Sequence, residues 1–197
     1  MKKEKILNLF IGSNNQGKIK EIRDLLPKKI TILTPKDFNL NSPKESGKTF
    51  KENSFIKAKF FSKRTKMICL ADDSGLEIDS LDRLPGIYSA RWAKKHGSFP
   101  NAMKFILKKM KKKKNRSATF VCCLCFKYPG RKMVTVTGKI KGFISHKMIG
   151  TRGFGYDPIF IPCSKTITFG QMLKFKKINM DHRYIAFMKM KKKIKIL

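Results

Sequence analysis

The feature that most constrains this chain is an acidic cluster directly after a short apolar run. In a chain with 46 Lys and Arg residues and only 13 Asp and Glu residues, four acidic side chains lie within eight positions: Asp72, Asp73, Glu77 and Asp79. The apolar run before them, residues 67–70, is short enough for a buried strand, and open α/β sheets bind their ligands where strands end. The sequence therefore predicts a polar site at the end of this strand.

Asp72 and Asp73 are adjacent, and two carboxylates side by side repel each other and are costly to bury. A cation or a positively charged neighbour would compensate them. Magnesium is the natural candidate because it is held by one or two carboxylates together with phosphate oxygens. The alternative is a simple loop with an Asx-turn, which the run Asp-Asp-Ser-Gly also favours.

Length and composition favour a folded protein. The chain has 197 residues and a mass of 22.8 kDa, which predicts a single domain (1–197), here of two lobes. A hydrophobic content of 41% and 16 Phe residues argue against disorder despite a net charge of +33. No apolar run approaches the roughly 20 residues of a membrane span, and no signal-peptide pattern begins the chain, so we expect a cytoplasmic protein.

The five cysteines are odd in number and indicate neither a disulfide framework nor a zinc site. Three of them lie in one predicted strand, where Cys123 and Cys125 share a face and Cys122 takes the other. We expect them to be small core residues.

The positive charge has two interpretations. Lysines are spread along the chain and concentrate only at residues 108–114 and 189–195, as on a solvated surface. We therefore expect no specific nucleic-acid or membrane partner. Two alternatives stay open: a basic protein that binds nucleic acid without catalysis, and a membrane-surface protein that uses the tail at residues 189–197.

The first part of the chain has the pattern of a phosphate site. Residues 5–11 predict a strand, and residues 12–18 a Gly-bearing turn into a helix, whose apolar side chains are Ile19, Ile22, Leu25 and Leu26. Free backbone N–H groups and the positive helix end attract phosphate at such a turn, and Lys18 adds a charge. The spacing is not that of a Walker loop.

The remaining pattern alternates strands and helices. It predicts strands at residues 30–33, 76–81, 117–126 and 132–144, with the last two joined by the turn at 128–131, and helices at residues 49–64, 98–110 and 179–194. The three glycines between residues 150 and 155 let a backbone approach a ligand closely, and Phe154 and Tyr156 offer faces for a planar base. The alternative is a turn whose aromatic side chains are core.

Six ordered motifs across nearly the whole chain resemble the inosine/xanthosine triphosphate pyrophosphatase family, the Ham1-like nucleotidases. The motifs are the run at 13–18 with Glu21, the run at 46–53, the acidic run at 71–76, the run at 85–91, the run at 153–157, and Lys177 followed by His182-Arg183. The resemblance implies an α/β fold with an elongated mixed β-sheet, flanking helices and a central cleft. It also implies a homodimer.

The resemblance implies a magnesium-dependent enzyme that hydrolyses ITP, dITP and XTP to the monophosphate and pyrophosphate, with manganese as the other possible metal. Asp73 would be a metal ligand and the base that activates water, with Glu45 and Asp72 as further metal-site carboxylates. The implied substrate-binding residues are Ser13, Asn14, Asn15, Gln16, Gly17, Lys18, Asn53, Lys57, Ser74, Phe154, Gly155, Tyr156, Asp157, Lys177, His182 and Arg183.

The chain departs from the family pattern at three positions. Asp181 stands where the family usually has Ser, Gln171 where it usually has Glu, and Arg152 where the residue is often small. A carboxylate beside the base pocket predicts an altered base preference, with catalysis retained.

Overall fold

The computed structural model describes residues 7–130 and 133–194, except for the side chain of Leu7. Its strands form one mixed six-stranded sheet in the order β2-β1-β3-β4-β5-β6. Strand β1 pairs in parallel with β2 and β3, whereas β5 and β6 are antiparallel. The strands are β1 (Leu7–Ile11), β2 (Ile30–Leu33), β3 (Cys69–Ile78), β4 (Ser117–Lys127), β5 (Met133–Ile144) and β6 (Phe160–Pro162).

Helices alternate with the strands in the first part of the chain and follow them in the last part. They are α1 (Gln16–Leu25), α2 (Phe50–Thr65), α3 (Ser89–Lys95), α4 (Phe99–Met110), α5 (Lys174–Lys177) and α6 (His182–Lys193). The predicted fold class, an α/β protein with a mixed sheet and flanking helices, is confirmed. The predicted central cleft, elongated shape and single domain stay predictions.

The chain divides into two compact units. Unit 1 comprises residues 1–73, 123–137 and 186–197, and unit 2 comprises residues 74–122 and 138–185. The core of unit 1 is built on Phe10, Ala58, Phe61, Cys69 and Cys125. The buried residues of the unit 2 core come from β3, α4, β4 and the segment around β6.

The helices predicted from periodicity are present because their caps and apolar faces agree. Helix α2 begins after Thr49, whose hydroxyl accepts a hydrogen bond from Glu52 N at 3.1 Å. Ser98 caps α4 in the same way by accepting from Asn101 N. The predicted strand at 5–11 is confirmed from Leu7, and its first two residues lie outside the described part of the chain.

Strand β3 corrects the prediction at the acidic cluster. The sequence predicted that a strand ends before the acidic pair and that a second strand occupies residues 76–81, whereas one strand runs through from Cys69 to Ile78. The backbone at this point is held by Ser89, whose hydroxyl accepts from Leu76 N at 3.0 Å and donates to Gly86 O at 2.7 Å. These tertiary bonds override the turn preference of Ser-Gly.

Two further predictions are settled by the fold. The last helix begins at His182 rather than at residue 179, because the chain turns at Asp181 before α6 starts. Cys69, Cys122, Cys123 and Cys125 are buried free thiols, as predicted, and Cys163 is exposed. In the described residues, no helix is both long enough and apolar enough to span a membrane.

Candidate active site

The turn after β1 presents backbone and side-chain groups at the start of α1. Asn15 is the N-cap residue, and its side chain accepts from Lys18 N at 3.1 Å. The hydroxyl of the buried Ser13 accepts from Asn15 N at 3.2 Å. Asn14 is exposed and donates to Ser42 at 3.0 Å, while Gln16 and Gly17 open the helix. The segment therefore has the geometry of the predicted phosphate turn.

The acidic pair lies on the part of β3 that extends past the end of β1. Parallel pairing between these strands stops at Ile11 and Leu70, so Asp72 and Asp73 follow the carboxyl end of β1. Both side chains are buried, with Asp72 completely inaccessible to solvent. Because neighbouring residues of a strand point to opposite faces, the two carboxylates have different partners. Lys18 Nζ lies 3.1 Å from Asp72 Oδ2.

Lys57 is the cation next to Asp73. Its Nζ atom lies 3.5 Å from Asp73 Oδ1 and 2.6 Å from Glu45 Oε1. The Lys57 side chain is 6% exposed and the Asp73 side chain 5%, whereas Glu45 is 28% exposed. One buried ammonium thus bridges two acidic residues that the sequence places 28 positions apart. The structure brings Glu45 and Asp73, two predicted metal-site carboxylates, together around Lys57, a predicted substrate contact, and their roles stay predictions.

The pKa directions follow from burial and charge. Burial is the largest influence on Lys57 and lowers its pKa, but the charges of Asp73, Asp72 and Glu45 outweigh it, and the pKa is raised. Burial also dominates at Asp73 and raises the pKa of this carboxyl, although Lys57 and Lys18 oppose the effect. The negative charges of Glu45 and Asp72 raise the pKa of Asp73 further.

The acidic residues have the chemistry of a magnesium site. Asp73 Oδ2 is buried and has no hydrogen-bond partner within residues 7–130 and 133–194. A cation or a water molecule would satisfy this oxygen, and carboxylate oxygens are the ligands that magnesium prefers. No group of three or more His, Cys, Asp or Glu side chains in the described residues has a metal-binding arrangement. The residues therefore fit an ion that takes one or two carboxylates and completes its shell from phosphate and water.

The loop before α2 is fastened to the first turn of the helix. Gly47 N donates to Asn53 Oδ1 at 2.8 Å, and Lys48 N donates to Glu52 Oε2 at 2.6 Å. A side chain at Gly47 would collide with both Glu52 and Asn53. Asn53 is fully buried, and its Nδ2 donor has no hydrogen-bond partner in the described chain. Lys57 follows one helical turn later, so this helix face carries two buried polar groups.

Unit 2 contains a separate cluster around Asp157. Its Oδ2 atom accepts from Phe154 N at 2.9 Å and forms an ion pair with Lys177 Nζ at 2.7 Å. Gly153 has a φ of +74°, and a side chain there would collide with the Asp157 carboxylate. Lys177 Nζ lies 5.3 Å from the centre of the Phe154 ring. The partly exposed Phe154 ring is therefore held by a buried charged pair.

His182 and Arg183 begin α6 and are both buried. The His182 ring stacks on Phe120 with a centroid distance of 4.8 Å and an interplanar angle of 9°. Arg183 donates to Ser74 Oγ at 3.0 Å and lies over the Phe154 ring at 5.8 Å. Within unit 2, Phe154 and Ser74 both contact Arg183, so the fold brings these sequence-distant predicted residues together.

Tyr156 requires a correction. The sequence predicted that its ring would offer a face for a base, but the ring is 2% exposed and belongs to the core of unit 2. Its hydroxyl donates to Ser89 O at 2.9 Å, and the ring contacts Phe99 edge to face at 5.3 Å. The core alternative is correct for this side chain because its hydroxyl finds a partner inside the protein. Gly155, with a φ of +66°, stays a predicted backbone contact.

The three departures from the family pattern have structural partners. Arg152 donates to Gln171 O at 2.8 Å, and Gln171 Oε1 accepts from Thr168 N at 3.0 Å, so both residues fasten the glycine-rich segment to the turn at 168–171. Asp181 Oδ1 accepts from Tyr184 N at 2.8 Å. The effect of Asp181 on base preference stays a prediction.

Sequence reasoning missed Ser89 as the residue that holds the β3 backbone. No local spacing signals this role, because its partner at Leu76 is 13 positions away. The Asn53 bond to Gly47 was equally unforeseen. The capping pair Thr49 and Glu52, in contrast, has the regular three-residue spacing of a capping box.

A mixed α/β sheet with a glycine-bearing strand-to-helix turn and buried carboxylate–lysine pairs is typical of proteins that bind phosphorylated ligands. The chain belongs to the Ham1 family, whose model matches residues 9–193. A dITP/XTP pyrophosphatase of Caulobacter vibrioides is 39% identical over 185 residues, covering 93% of this chain and 95% of the relative. A dITP/XTP pyrophosphatase of Acholeplasma laidlawii is 41% identical over 180 residues, covering 90% of this chain and 88% of the relative. A Ham1 protein of Coxiella burnetii has a solved structure with a TM-score of 0.87 and 30% identity, covering 97% of this chain and all of its own.

Proposed function

We propose that this chain is a magnesium-dependent nucleoside triphosphate pyrophosphatase that acts on ITP, dITP and XTP and yields the monophosphate and pyrophosphate. The observation that carries the proposal is the buried Asp73 carboxylate, contacted by Lys57 and with an oxygen that has no hydrogen-bond partner in the described residues. The relatives named dITP/XTP pyrophosphatase, which match nearly the whole chain, support this substrate class.

The proposed reaction is attack of water on the α-phosphorus. Asp73 Oδ2 accepts a proton from the water as the new P–O bond forms, and the bond from the α-phosphorus to the α–β bridging oxygen breaks. Pyrophosphate leaves with the electron pair of that bond.

Asp73 and Glu45, which both contact Lys57, are the residues that would hold magnesium, and Asp72 would support them. The ion, when bound, supplies positive charge to the phosphate oxygens. Lys57 keeps Glu45 and Asp73 in one place, and Lys18 does the same for Asp72. Manganese accepts the same oxygen ligands, so the donor set alone does not distinguish the two metals.

Cationic side chains would stabilise the charge that develops on pyrophosphate. Lys18 and Lys57 are the candidates in unit 1, together with the backbone N–H groups of the turn at residues 13–18. Arg183 is the further candidate that the family resemblance implies, and Ser74 orients its guanidinium. Asn53, with a buried unbonded amide donor, is suited to a phosphate oxygen or a bound water.

Base recognition is proposed for the side chains around Phe154. The ring offers a stacking surface, and Lys177, His182 and Arg183 supply hydrogen-bond donors. Hypoxanthine and xanthine present acceptors at O6 and N7, whereas adenine presents an amino donor at its 6-position. The protein donors opposite the adenine amino group would have no acceptor to bind, and their desolvation would be uncompensated. We therefore expect ATP to be a poor substrate.

A panel of nucleotides tests the proposal directly. Pyrophosphate release is measured from ITP, dITP, XTP, GTP and ATP with magnesium, with manganese and with a chelator. We expect turnover of ITP, dITP and XTP that depends on the divalent metal and exceeds that of ATP by at least about tenfold. Absence of pyrophosphate from all five nucleotides would refute the proposal.

Asp73→Asn tests the proposed base. We expect turnover of ITP to fall by about 10²-fold or more, since general-base catalysis contributes on this scale, while ITP still binds in a calorimetric titration. Asp79→Asn is the matched control, because Asp79 is an exposed acid just after the same strand. Unimpaired turnover by Asp73→Asn would assign the base to another group.

The cytoplasmic location and the homodimer are also proposals, supported by the family resemblance. Sedimentation equilibrium measures the dimer, and fractionation of cells measures the location. The rival nucleic-acid function predicts salt-dependent RNA binding together with no pyrophosphate release from any nucleotide. The same substrate panel therefore distinguishes the two functions.

A further inference from the structure

Asp181 connects the end of α5 to the start of α6. Its backbone N–H donates to Lys177 O at 3.1 Å, and its carbonyl accepts from Ile185 N at 3.0 Å as the first helical bond of α6. Its carboxylate Oδ1 accepts from Tyr184 N at 2.8 Å. Acceptance from the third residue of the helix is the geometry of an N-cap, and Asp181 is almost completely buried.

The residues that follow the cap are His182 and Arg183. The first N–H groups of a helix have no partner within the helix, so the cap side chain fixes the backbone angles of this turn. The directions of the side chains in the turn depend on those angles. His182 is placed against Phe120 and Arg183 against Ser74, so a small rotation of the turn would move two of the proposed purine-binding groups together.

We propose that Asp181 is a positioning residue for purine recognition, acting through the N-cap of α6; this inference rests on the proposed function. The carboxylate is engaged by the helix at Tyr184 N, and it orients the groups that contact the base. A Ser or Asn in its place retains an acceptor within reach of the same N–H, whereas Ala retains none. The N-cap at residue 181 therefore requires an oxygen acceptor.

The experiment compares Asp181→Asn, Asp181→Ser and Asp181→Ala. In Asp181→Ala, we expect faster hydrogen exchange at the Tyr184 amide and a melting temperature lower by about 3 °C, typical of one lost cap. We expect the KM for ITP to rise about tenfold while kcat changes by less than about threefold, because misplaced binding groups weaken substrate binding. The Asn and Ser variants should restore the exchange protection and the KM.

The matched control is Asp37→Ala. Asp37 also accepts from a backbone N–H through its carboxylate, that of Thr34 at 2.7 Å, but lies in unit 1 outside the proposed site. It should lower stability slightly and leave the KM for ITP unchanged. An Asp181→Ala variant with the parent KM, or an Asp181→Asn variant that behaves like Asp181→Ala, would overturn the inference.

The two proposals fail in different ways. If the parent protein releases no pyrophosphate from ITP, the proposed function fails, and the positioning role for purine recognition fails with it, although exchange at the Tyr184 amide still reports the cap. If the parent protein hydrolyses ITP and only the variant comparison fails, the proposed function stands and Asp181 is a structural cap alone.

Discussion

Lys57 Nζ lies 3.5 Å from Asp73 Oδ1, and both residues are removed from solvent. The lysine comes from α2 and the aspartate from β3, so the contact joins a helix to the strand beside it in sequence. A buried carboxylate is stable only where a positive charge lies near it. Lys57 therefore stabilises the buried Asp73 carboxylate in the fold, and Asp73 is also the proposed base of the reaction.

The first prediction concerns the loss of Lys57. Lys57→Met leaves Asp73 and Glu45 without their shared cation, and breaking a buried pair of this kind costs about 3–5 kcal/mol of unfolding free energy. Urea denaturation followed by circular dichroism measures the loss. Lys59→Met, an exposed lysine on the same helix, is the control and should change the unfolding free energy by less than about 0.5 kcal/mol. Equal stability of the two variants would show that Lys57 is not needed to compensate the carboxylates.

The second prediction concerns Arg116. Its guanidinium donates to Ile144 O at 2.6 Å, Ser145 O at 2.6 Å and Met110 O at 3.1 Å. A lysine ammonium cannot span three carbonyls in this planar arrangement, so Arg116→Lys should lower the unfolding free energy by about 1–3 kcal/mol. Chemical denaturation measures the unfolding free energy of this variant. Arg23→Lys, at an exposed arginine, is the control. An unchanged unfolding free energy in Arg116→Lys would mean that water replaces the lost donors.

The third prediction concerns Asp37 and pH. Hydrogen bonds from the side chain and backbone of Thr34 hold the pKa of Asp37 below its ordinary value of 3.8. A depressed carboxyl pKa adds stability above the unfolded pKa, and this stability is lost as the pH falls through the folded pKa. Asp37→Ala should therefore be slightly less stable than the parent at pH 7, and the difference should shrink as the pH falls below 3.8. Thermal melting across this range measures it, and a difference independent of pH would contradict the assignment.

The fourth prediction concerns the thiols. Burial raises the pKa of Cys125 to about 12 and that of Cys69 still higher, and Cys122 and Cys123 are buried as well. Because the thiolate is the reactive form, only the exposed Cys163 should be alkylated by iodoacetamide at pH 8. Mass spectrometry should find one adduct in the native protein, none in Cys163→Ser and five adducts in the denatured parent chain. Labelling of Cys125 in the native state would show that β4 opens.

The agreement between sequence and structure is closest where the signal is local. The apolar residues of α2 predicted that helix within a residue at each end, and the structure adds the Thr49 cap. Ser98 and α4 agree equally well. In both cases the residues that decide the structure lie within one or two helical turns of each other, so the pattern itself contains the cause.

The disagreements occur where distant residues decide. The sequence predicted that the strand ends before Asp72, but Ser89 bonds the backbone at Leu76 and the strand continues to Ile78. Tyr156 was predicted to face a ligand, but Ser89 O accepts its hydroxyl inside the core. Neither partner is recognisable from local spacing.

The sequence by itself determined the residue types at the site, the strand, turn and helix that begin the fold, and the family, because ordered motifs and short-range periodicity are properties of the chain alone. Only the tertiary structure decided which cation compensates which carboxylate. Lys18 forms an ion pair with Asp72, and Lys57 forms ion pairs with Glu45 and Asp73. The reason is that the energy of a buried charge depends on distances across many residues of sequence. Those distances exist only once α1, α2 and β3 are packed.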